Sequence, residues 1–378
     1  MNTFYEKLEG DPLRGQKVDK SAFSHARKKI DNKVYEKLNF NFINDIEETY
    51  LSKRFSGFRI FGVDGTILAL PDHQGIREDY DCWGGSKGES GPRARVSSLY
   101  DCMNHISHHH QIINKGTGER ELALQHIENT DLSEQDIICF DRGYPAFWLF
   151  HKVMQAKAHF CARMADTWKD VKSFKKDESR TDEIITIPIR AYAKKECLDH
   201  NIEEPSITLR LVKVILPSGE IEVLATSIMD QSKDVQWFKT LYNIRWQTEE
   251  NYKVIKARIR IQNFTTRTTH GIEQEFHAQM LMLNIASVIR TVSEAEHQYE
   301  IQEKTKKSKK GALYKIHFTA ALSKVRKLGV MLFFVDRRSV LSALITNIAE
   351  DLTRILGGRS FLRKKVNKQG YNQSYPYL

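Results

Sequence analysis

One segment limits what this chain can fold into more than any other. LYNIRWQTEENYKVIKARIRI, residues 241–261, runs without a proline or glycine and is rich in Glu, Lys, Arg and Gln. Those residues lose little rotamer freedom in a helix, so a helix is expected throughout. At about 100° per residue, with Tyr242 at zero, Arg245 falls near 300°, Glu249 near 340°, Lys253 near 20° and Lys256 near 320°. One carboxylate, three cations and a phenol therefore share an arc of roughly 80°. Leu241, Ile244, Ile255 and Ile259 lie beside that arc, between about 200° and 260°, and give the helix a face to bury. On spacing alone two readings are equal. One is a solvated face with i,i+4 Glu–Lys pairs. The other is a site where the acid ligates a metal ion and the cations hold phosphates.

Composition narrows the partners. The chain has 378 residues, 40% of them hydrophobic, enough for a normal core. Its net charge is +10 and its pI is about 9.2, which points to a polyanion, nucleic acid ahead of a membrane surface. Residues 301–378 hold 17 Lys and Arg against 4 Asp and Glu, a net of +13, so residues 1–300 sit near −3. A body of mixed charge with a basic C-terminal arm fits DNA or RNA binding. No run approaches the roughly 18 apolar residues of a membrane span, so no membrane partner is expected. The start, MNTFYEKLEG, does not read as a signal peptide. Cys82, Cys102, Cys139, Cys161 and Cys197 form no CxxC pair, which argues for reduced thiols in the cytoplasm and against zinc.

The element pattern divides the chain into five. Residues 1–53 form a short helical N-terminal region, with Ser21 as an N-cap. Residues 54–165 begin a catalytic core. A strand at 58–70 runs into Asp64 and a turn at Gly65, a polar Gly-rich loop covers 79–95, and strands follow at 96–106 and 108–118. A helix at 118–130, a buried strand at 136–140, a helix at 146–158 with Pro145 at its N1 position, and a strand at 159–164 complete this part. Residues 166–229 read as a β-rich insertion of short alternating segments. Residues 230–297 resume the core with the charged helix and a second helix at 273–297. Residues 298–378 are basic and mainly helical, and KTKKSKK at 304–310 reads as a linker.

Two aspartates sit where apolar strands end: Asp64 after IFGV and Asp141 after IICF. Each alone reads as a turn former. With Glu249 they make three carboxylates able to hold two Mg²⁺ ions, which would activate a water or 3′-hydroxyl and stabilise the leaving oxygen of a phosphodiester. Three strands, a helix and a strand ahead of Asp141 fit an RNase H-like sheet. The fold class is thus α/β, a mixed sheet flanked by helices, with the β-rich insertion and helical ends.

These residues resemble a known family. Tyr242-NI-Arg245-WQT-Glu249-ENYKVI-Lys256 matches in full the signature of the IS4 family of DDE transposases from bacterial insertion sequences. VDGT at Asp64, DRGY at Asp141 and SAFSHARKKI near the start are also similar, and the likeness spans roughly 18–295. The interval from Asp141 to Glu249, 108 residues (249 minus 141), suits a family with a β insertion before its catalytic Glu.

The resemblance implies that Asp64, Asp141 and Glu249 bind Mg²⁺ or Mn²⁺ and catalyse DNA cleavage and strand transfer. Tyr242, Arg245, Lys253 and Lys256 would grip backbone phosphates, with Trp246 able to stack on a base. Arg142 and Tyr144 would support the site. It implies double-stranded DNA as partner, both terminal inverted repeats and target, a dimer on DNA, and a nucleoid-associated cytoplasmic protein. Relatives form a hairpin intermediate that needs a flipped base held by the β insertion, for which Trp168 and Trp237 are candidates. Asp64 lies close to the start of the sequence, whereas family members often carry a longer N-terminal DNA-binding region; the two readings are a truncated copy, or end binding through the core and the basic C-terminus. Two other readings stay open: a nuclease on the same fold that cuts without joining, and an inactive protein that only binds transposon ends.

His105 and His108–His110 lack ligand spacing to any Cys or acid and read as a surface or edge strand. GTGER at 116–120 lacks the Lys-Ser/Thr of a phosphate loop. Asp72, Asp79 and Asp81 read as solvated loop acids.

Overall fold

The computed structural model describes residues 19–50, 53–80, 82–84, 90–114, 116–216, 218–258, 261–308, 312–333 and 336–355. Its centre is a mixed sheet. Strand β1 (Arg59–Ala69) pairs antiparallel with β3 (Ser90–Asp101), and β3 pairs antiparallel with the edge strand β4 (Ile106–Ile113). On its other side β1 pairs parallel with β5 (Asp136–Phe140), which pairs parallel with β6 (His159–Arg163). The spatial order β4-β3-β1-β5-β6, with β3 antiparallel to β1 and β4, β5 and β6 parallel to it, is the RNase H-like arrangement. A short strand β2 (Cys82–Gly84) also pairs with β3.

The segment expected as a β-rich insertion supplies β7 (Asp182–Pro188), β8 (Ser206–Ile215) and β9 (Ile221–Thr226). They do not stand apart. β9 pairs with β6, so the order continues β6-β9-β8-β7 and one nine-stranded sheet results. Two helices, Lys169–Lys176 and Ala191–Asp199, interrupt the segment, and its alternating strands gave no sign of them.

Sheet periodicity decides what faces what. Ile60, Ile137 and Cys139 point to one face and pack with Phe238 and Leu241 of the helix α1 (Val235–Ile244). Phe61, Val63, Ile138 and Phe140 point to the opposite face, onto Phe147, Trp148 and Phe150 of the helix Phe147–Gln155. A 28-residue helix, Thr269–Glu296, crosses the β4 edge with the helix Lys33–Tyr50, and Phe318–Leu328 and Arg337–Ala349 pack on it. Among the described residues no helix is long and apolar enough to cross a membrane.

Several expectations are corrected. β1 does not turn at Gly65: pairing with β3 continues to Ala69↔Arg93, and the chain stays extended through Asp64. Residues 90–95 and 82–84, expected as loop, are strands, while 85–89 and Asp81 lie outside the described residues. The charged helix is not continuous. α1 ends at Ile244, α2 runs Trp246–Lys253, and Val254–Arg258 is a π-helical turn. At the break Arg245 donates its N–H to Tyr242 O (3.2 Å) and accepts at its O from Thr248 N–H (2.9 Å), the tighter i→i+3 pattern. Ile259 lies outside the described residues.

Asp19, not Ser21, is the first N-cap, and Ser21 donates its hydroxyl to it. Ala146 is the cap of its helix, which leaves Pro145 before the cap. Lys304–Lys306 end a helix, Gln298–Lys306, instead of forming a linker. The C-terminal region also holds an antiparallel pair, Leu313–Ile316 with Leu352–Ile355. The basic residues beyond 355 lie outside the described residues.

Candidate functional site

Strand register brings the first two acids together. Arg59 pairs with Asp136 and Gly62 with Cys139 across the parallel strands β1 and β5. Continued by two residues, the same register sets Asp64 opposite Asp141. Adjacent strands lie about 4.8 Å apart, so two carboxylates share one level and one face. β5 ends at Phe140 while β1 runs on, so Asp64 reaches an open edge although it lies mid-strand.

The helix α2 lies directly over this point. The bare Cα of Gly62 makes room for it: a Cβ there would lie 2.1 Å from Thr248 Oγ1. One turn on, Tyr252 donates its hydroxyl to the backbone O of Asp64 at 2.7 Å and contacts Ser98 Oγ at 3.3 Å. Glu249 lies between those two anchors. Its Oε1 accepts from Arg245 Nη2 at 3.0 Å. Tyr242 donates its hydroxyl to Phe140 O (3.3 Å) and Asp141 Oδ1 (3.4 Å), so it faces the second acid.

Electrostatics tie the three acids into one site. Burial pushes the Asp64 carboxyl up to about 6; the hydrogen bond from Gly65 N–H and the charge of Arg245 oppose this, and Glu249 and Asp141 raise it further. Burial lowers the Lys256 ammonium, and Asp64 opposes that shift. A divalent cation between these acids would relieve the repulsion that Glu249 and Asp141 exert on Asp64. Among the described residues, however, no three His, Cys, Asp or Glu side chains are grouped closely enough to hold a metal ion. Glu249 is engaged by Arg245 instead.

Lys253 and Trp246 go elsewhere. Lys253 Nζ binds Glu250 Oε1 at 2.5 Å and sits 5.4 Å from the Trp246 ring centre, and Trp246 Nε1 donates to the same oxygen at 3.2 Å. Glu250 thus collects both on an exposed flank. Arg142 is exposed and 3.8 Å from Glu220. Trp168 packs 4.6 Å from Phe147, and Trp237 packs 5.1 Å from Phe55 and donates to Ser56 Oγ. Asp72 pairs with Arg77, and Asp79 accepts from Thr269.

Sequence reasoning missed several groups at this site. Tyr252 lies near 280° on the wheel, about 20° from Arg245, so the stripe itself could have found it. Tyr144, already expected to support the site, is buried with its hydroxyl unpartnered among the described residues; burial holds the phenol well above its usual range, and Asp64, Glu119 and Asp141 add to this. Glu119, at the start of the helix Glu119–Glu128, reaches the Gly65 backbone. A buried path also ends on Asp64. His109 Nδ1 meets His126 Nδ1 (2.7 Å), His126 Nε2 meets Ser97 Oγ (2.8 Å), and Ser97 donates to Asp64 O (3.2 Å). The His108–His110 run is therefore an edge strand, as expected, but a buried one. His108 and His110 are covered by neighbouring helices, with His110 against Phe276 and His277.

A family model described as the transposase DDE domain matches residues 56–285. No curated protein matches the chain. Among solved structures it is similar to piggyBac transposase in the cryo-EM structure of its synaptic complex with hairpin DNA, with a TM-score of 0.43 and 11% identity. That match covers 88% of this chain and 66% of the other, so the chain spans slightly less than two thirds of that protein's length.

Proposed function

Since the chain belongs to the transposase DDE domain family, whose model matches residues 56–285, we propose that it is a transposase that cuts and rejoins DNA at the ends of its own mobile element. The finer reading is an IS4-family enzyme of a bacterial insertion sequence, acting in the cytoplasm as a dimer on terminal inverted repeats and target DNA. The observation that carries it is the register that sets Asp64 level with Asp141 beneath the helix bearing Glu249.

In this reading Asp64, Asp141 and Glu249 hold a pair of Mg²⁺ or Mn²⁺ ions. Bound metal would activate the attacking water or 3′-hydroxyl and stabilise the leaving oxygen. The protein's part is positioning. Tyr252 and Ser97 hold the Asp64 backbone, and Tyr242 orients Asp141. Arg245 holds Glu249 through a hydrogen bond, and its guanidinium and Lys256 are the cations that would meet a DNA phosphate here. Trp246 and Lys253 form an outer contact for the same strand.

Duplexes carrying the element's terminal repeats, supplied with Mg²⁺, test this. Cleavage with joined products is expected. Cleavage alone would mark a nuclease, and binding alone a non-catalytic end-binding protein. Glu249→Gln should abolish cleavage and keep DNA binding; full cleavage by that variant would rule the site out. Lys256→Ala should flatten the salt dependence of end binding by a slope of about 1.

A further inference from the structure

A cleft of about 740 Å³ lies on the far side of α2 from the acids, between that helix, the β3–β4 connection and the helix Thr269–Glu296. Arg290 is its most unusual wall residue. It is only 8% exposed, yet its guanidinium makes no hydrogen bond among the described residues. Its Nε is buried without a partner, 3.8 Å from Glu294 Oε1, and its charge sits 5.2 Å from the Phe318 ring centre. A buried cation is normally paired and hydrogen-bonded, because its unmet donors keep the full cost of desolvation.

Other cations converge here. Lys53 and Lys315 line the same cleft. Burial, and then the charges of Arg290, Lys53 and Lys315, hold the His105 imidazole down at about 3, so it stays neutral and accepts from or donates to Tyr100 Oη at 3.1 Å. The acids present are committed. Glu294 is shared between Arg290 and Lys53, 3.9 Å from the latter, and Glu250 is held by Lys253. The remaining wall sets apolar and aromatic residues, with Leu283, Ile301 and Tyr314, among neutral polar ones such as Asn251, Asn284 and Gln298.

We propose that this cleft binds an organic phosphate of about mononucleotide size. Its phosphate is taken by Arg290, with Lys53 and Lys315 beside it, and its flat body lies on Tyr314, Leu283 and Ile301. A planar guanidinium fork fits two phosphate oxygens at once. The volume is that of a small-ligand site and exceeds what a bare phosphate fills. The ligand is either a free nucleotide or the last nucleotide of a DNA strand. In both cases it braces the back of the helix whose front carries Glu249. The inference is independent of the function proposed above.

The test uses the full chain at low salt, with calorimetric titration of inorganic phosphate, dAMP and a short 5′-phosphorylated single-stranded oligonucleotide. dAMP should bind more tightly than phosphate. Arg290→Met, which removes the donors and keeps most of the volume, should weaken dAMP at least tenfold, and Lys315→Gln several-fold. Lys315 is exposed, so the second variant decides the matter if the first fails to fold. An oligonucleotide tighter than dAMP identifies a strand end as the ligand, and equal or weaker binding a free nucleotide. The proposal falls if dAMP binds no better than inorganic phosphate, if nothing binds at about 10 mM, or if both variants bind dAMP as the parent does.

Discussion

Gly62→Ala is a sharp perturbation of how the catalytic helix meets the sheet. A Cβ at this position would lie 2.1 Å from Thr248 Oγ1, 3.3 Å from Thr248 Cβ and 3.2 Å from Cys102 Sγ. Ordinary carbon contacts are near 3.5–4.0 Å, so Thr248 must retreat by about 1 Å or more. Thr248 is fully buried and cannot swing into solvent, so α2 moves with it. Overpacking of this kind costs about 1–3 kcal/mol of stability. Glu249 is the next residue, and a displacement of about 1 Å lowers the rate of a positioned reaction roughly 100-fold. Thr248→Ala in the same chain removes the 2.1 Å clash and leaves contacts of 3.2 and 3.3 Å, which small shifts absorb. The double variant should therefore recover most of both losses, a coupling of about 1–2 kcal/mol in a double-mutant cycle. Urea unfolding reads the stability and Mg²⁺-dependent cleavage of end duplexes reads the rate. The reasoning is refuted if Gly62→Ala matches the parent in both assays, or if adding Thr248→Ala brings no recovery.

Three further outcomes follow from named contacts. Tyr252→Phe removes a buried donor to Asp64 O and should cost about 1 kcal/mol in urea unfolding, with a larger proportional loss of cleavage than of DNA binding. Burial holds His108, His110 and His126 well below their usual range, so they are neutral when folded. Below a pH of about 6.5 the unfolded chain takes up protons the folded chain refuses, so stability is lost as pH falls, by about 1.4 kcal/mol per pH unit for each such ring; a flat stability from pH 7 to 5 would contradict this. Asp136→Asn takes a buried carboxylate from Arg59, leaves it paired with Glu47 alone, and should cost about 1.5–3 kcal/mol, read as a lowered urea midpoint with an unchanged slope.

Much of the site was legible because its chemistry is local in sequence. The spacing keeps Tyr242, Arg245 and Glu249 together across the helix break while Lys253 turns away to Glu250, and the apolar runs before Asp64 and Asp141 announce strands. Three things were not legible. The strand through Gly65 depends on β3, whose Gly-Pro-containing start at 90–95 carries loop composition but pairs because β1 extends alongside it. The buried histidines of β4 look like surface until two helices are laid over them. Glu249 appears as an open ligand in sequence, whereas Arg245, four residues earlier, already occupies it.

The alignment of Asp64 with Asp141 is the deepest of the unreadable features, because it belongs to neither segment alone. A slip of one residue between β1 and β5 would move Asp64 to the opposite face. Apolar strands such as IFGV and IICF give little preference between registers, since both faces are buried. The specification comes from the other end of the strands. Arg59, the first residue of β1, pairs directly with Asp136, the first of β5, and makes two bonds to it, Nε–Oδ1 at 2.7 Å and Nη2–Oδ2 at 2.9 Å. Both side chains are buried, and Ser133 donates its N–H and hydroxyl to the same carboxylate. A buried pair of this geometry adds little net stability, but a slipped register would leave the buried Asp136 without its cation, Arg59 keeping Glu47, at a cost of several kcal/mol. Five residues further along each strand lie the two acids. The ion pair at the closed end of the sheet therefore fixes the spacing of the carboxylates at the open end, which is why Arg59 and Asp136 matter to the chemistry although neither touches it.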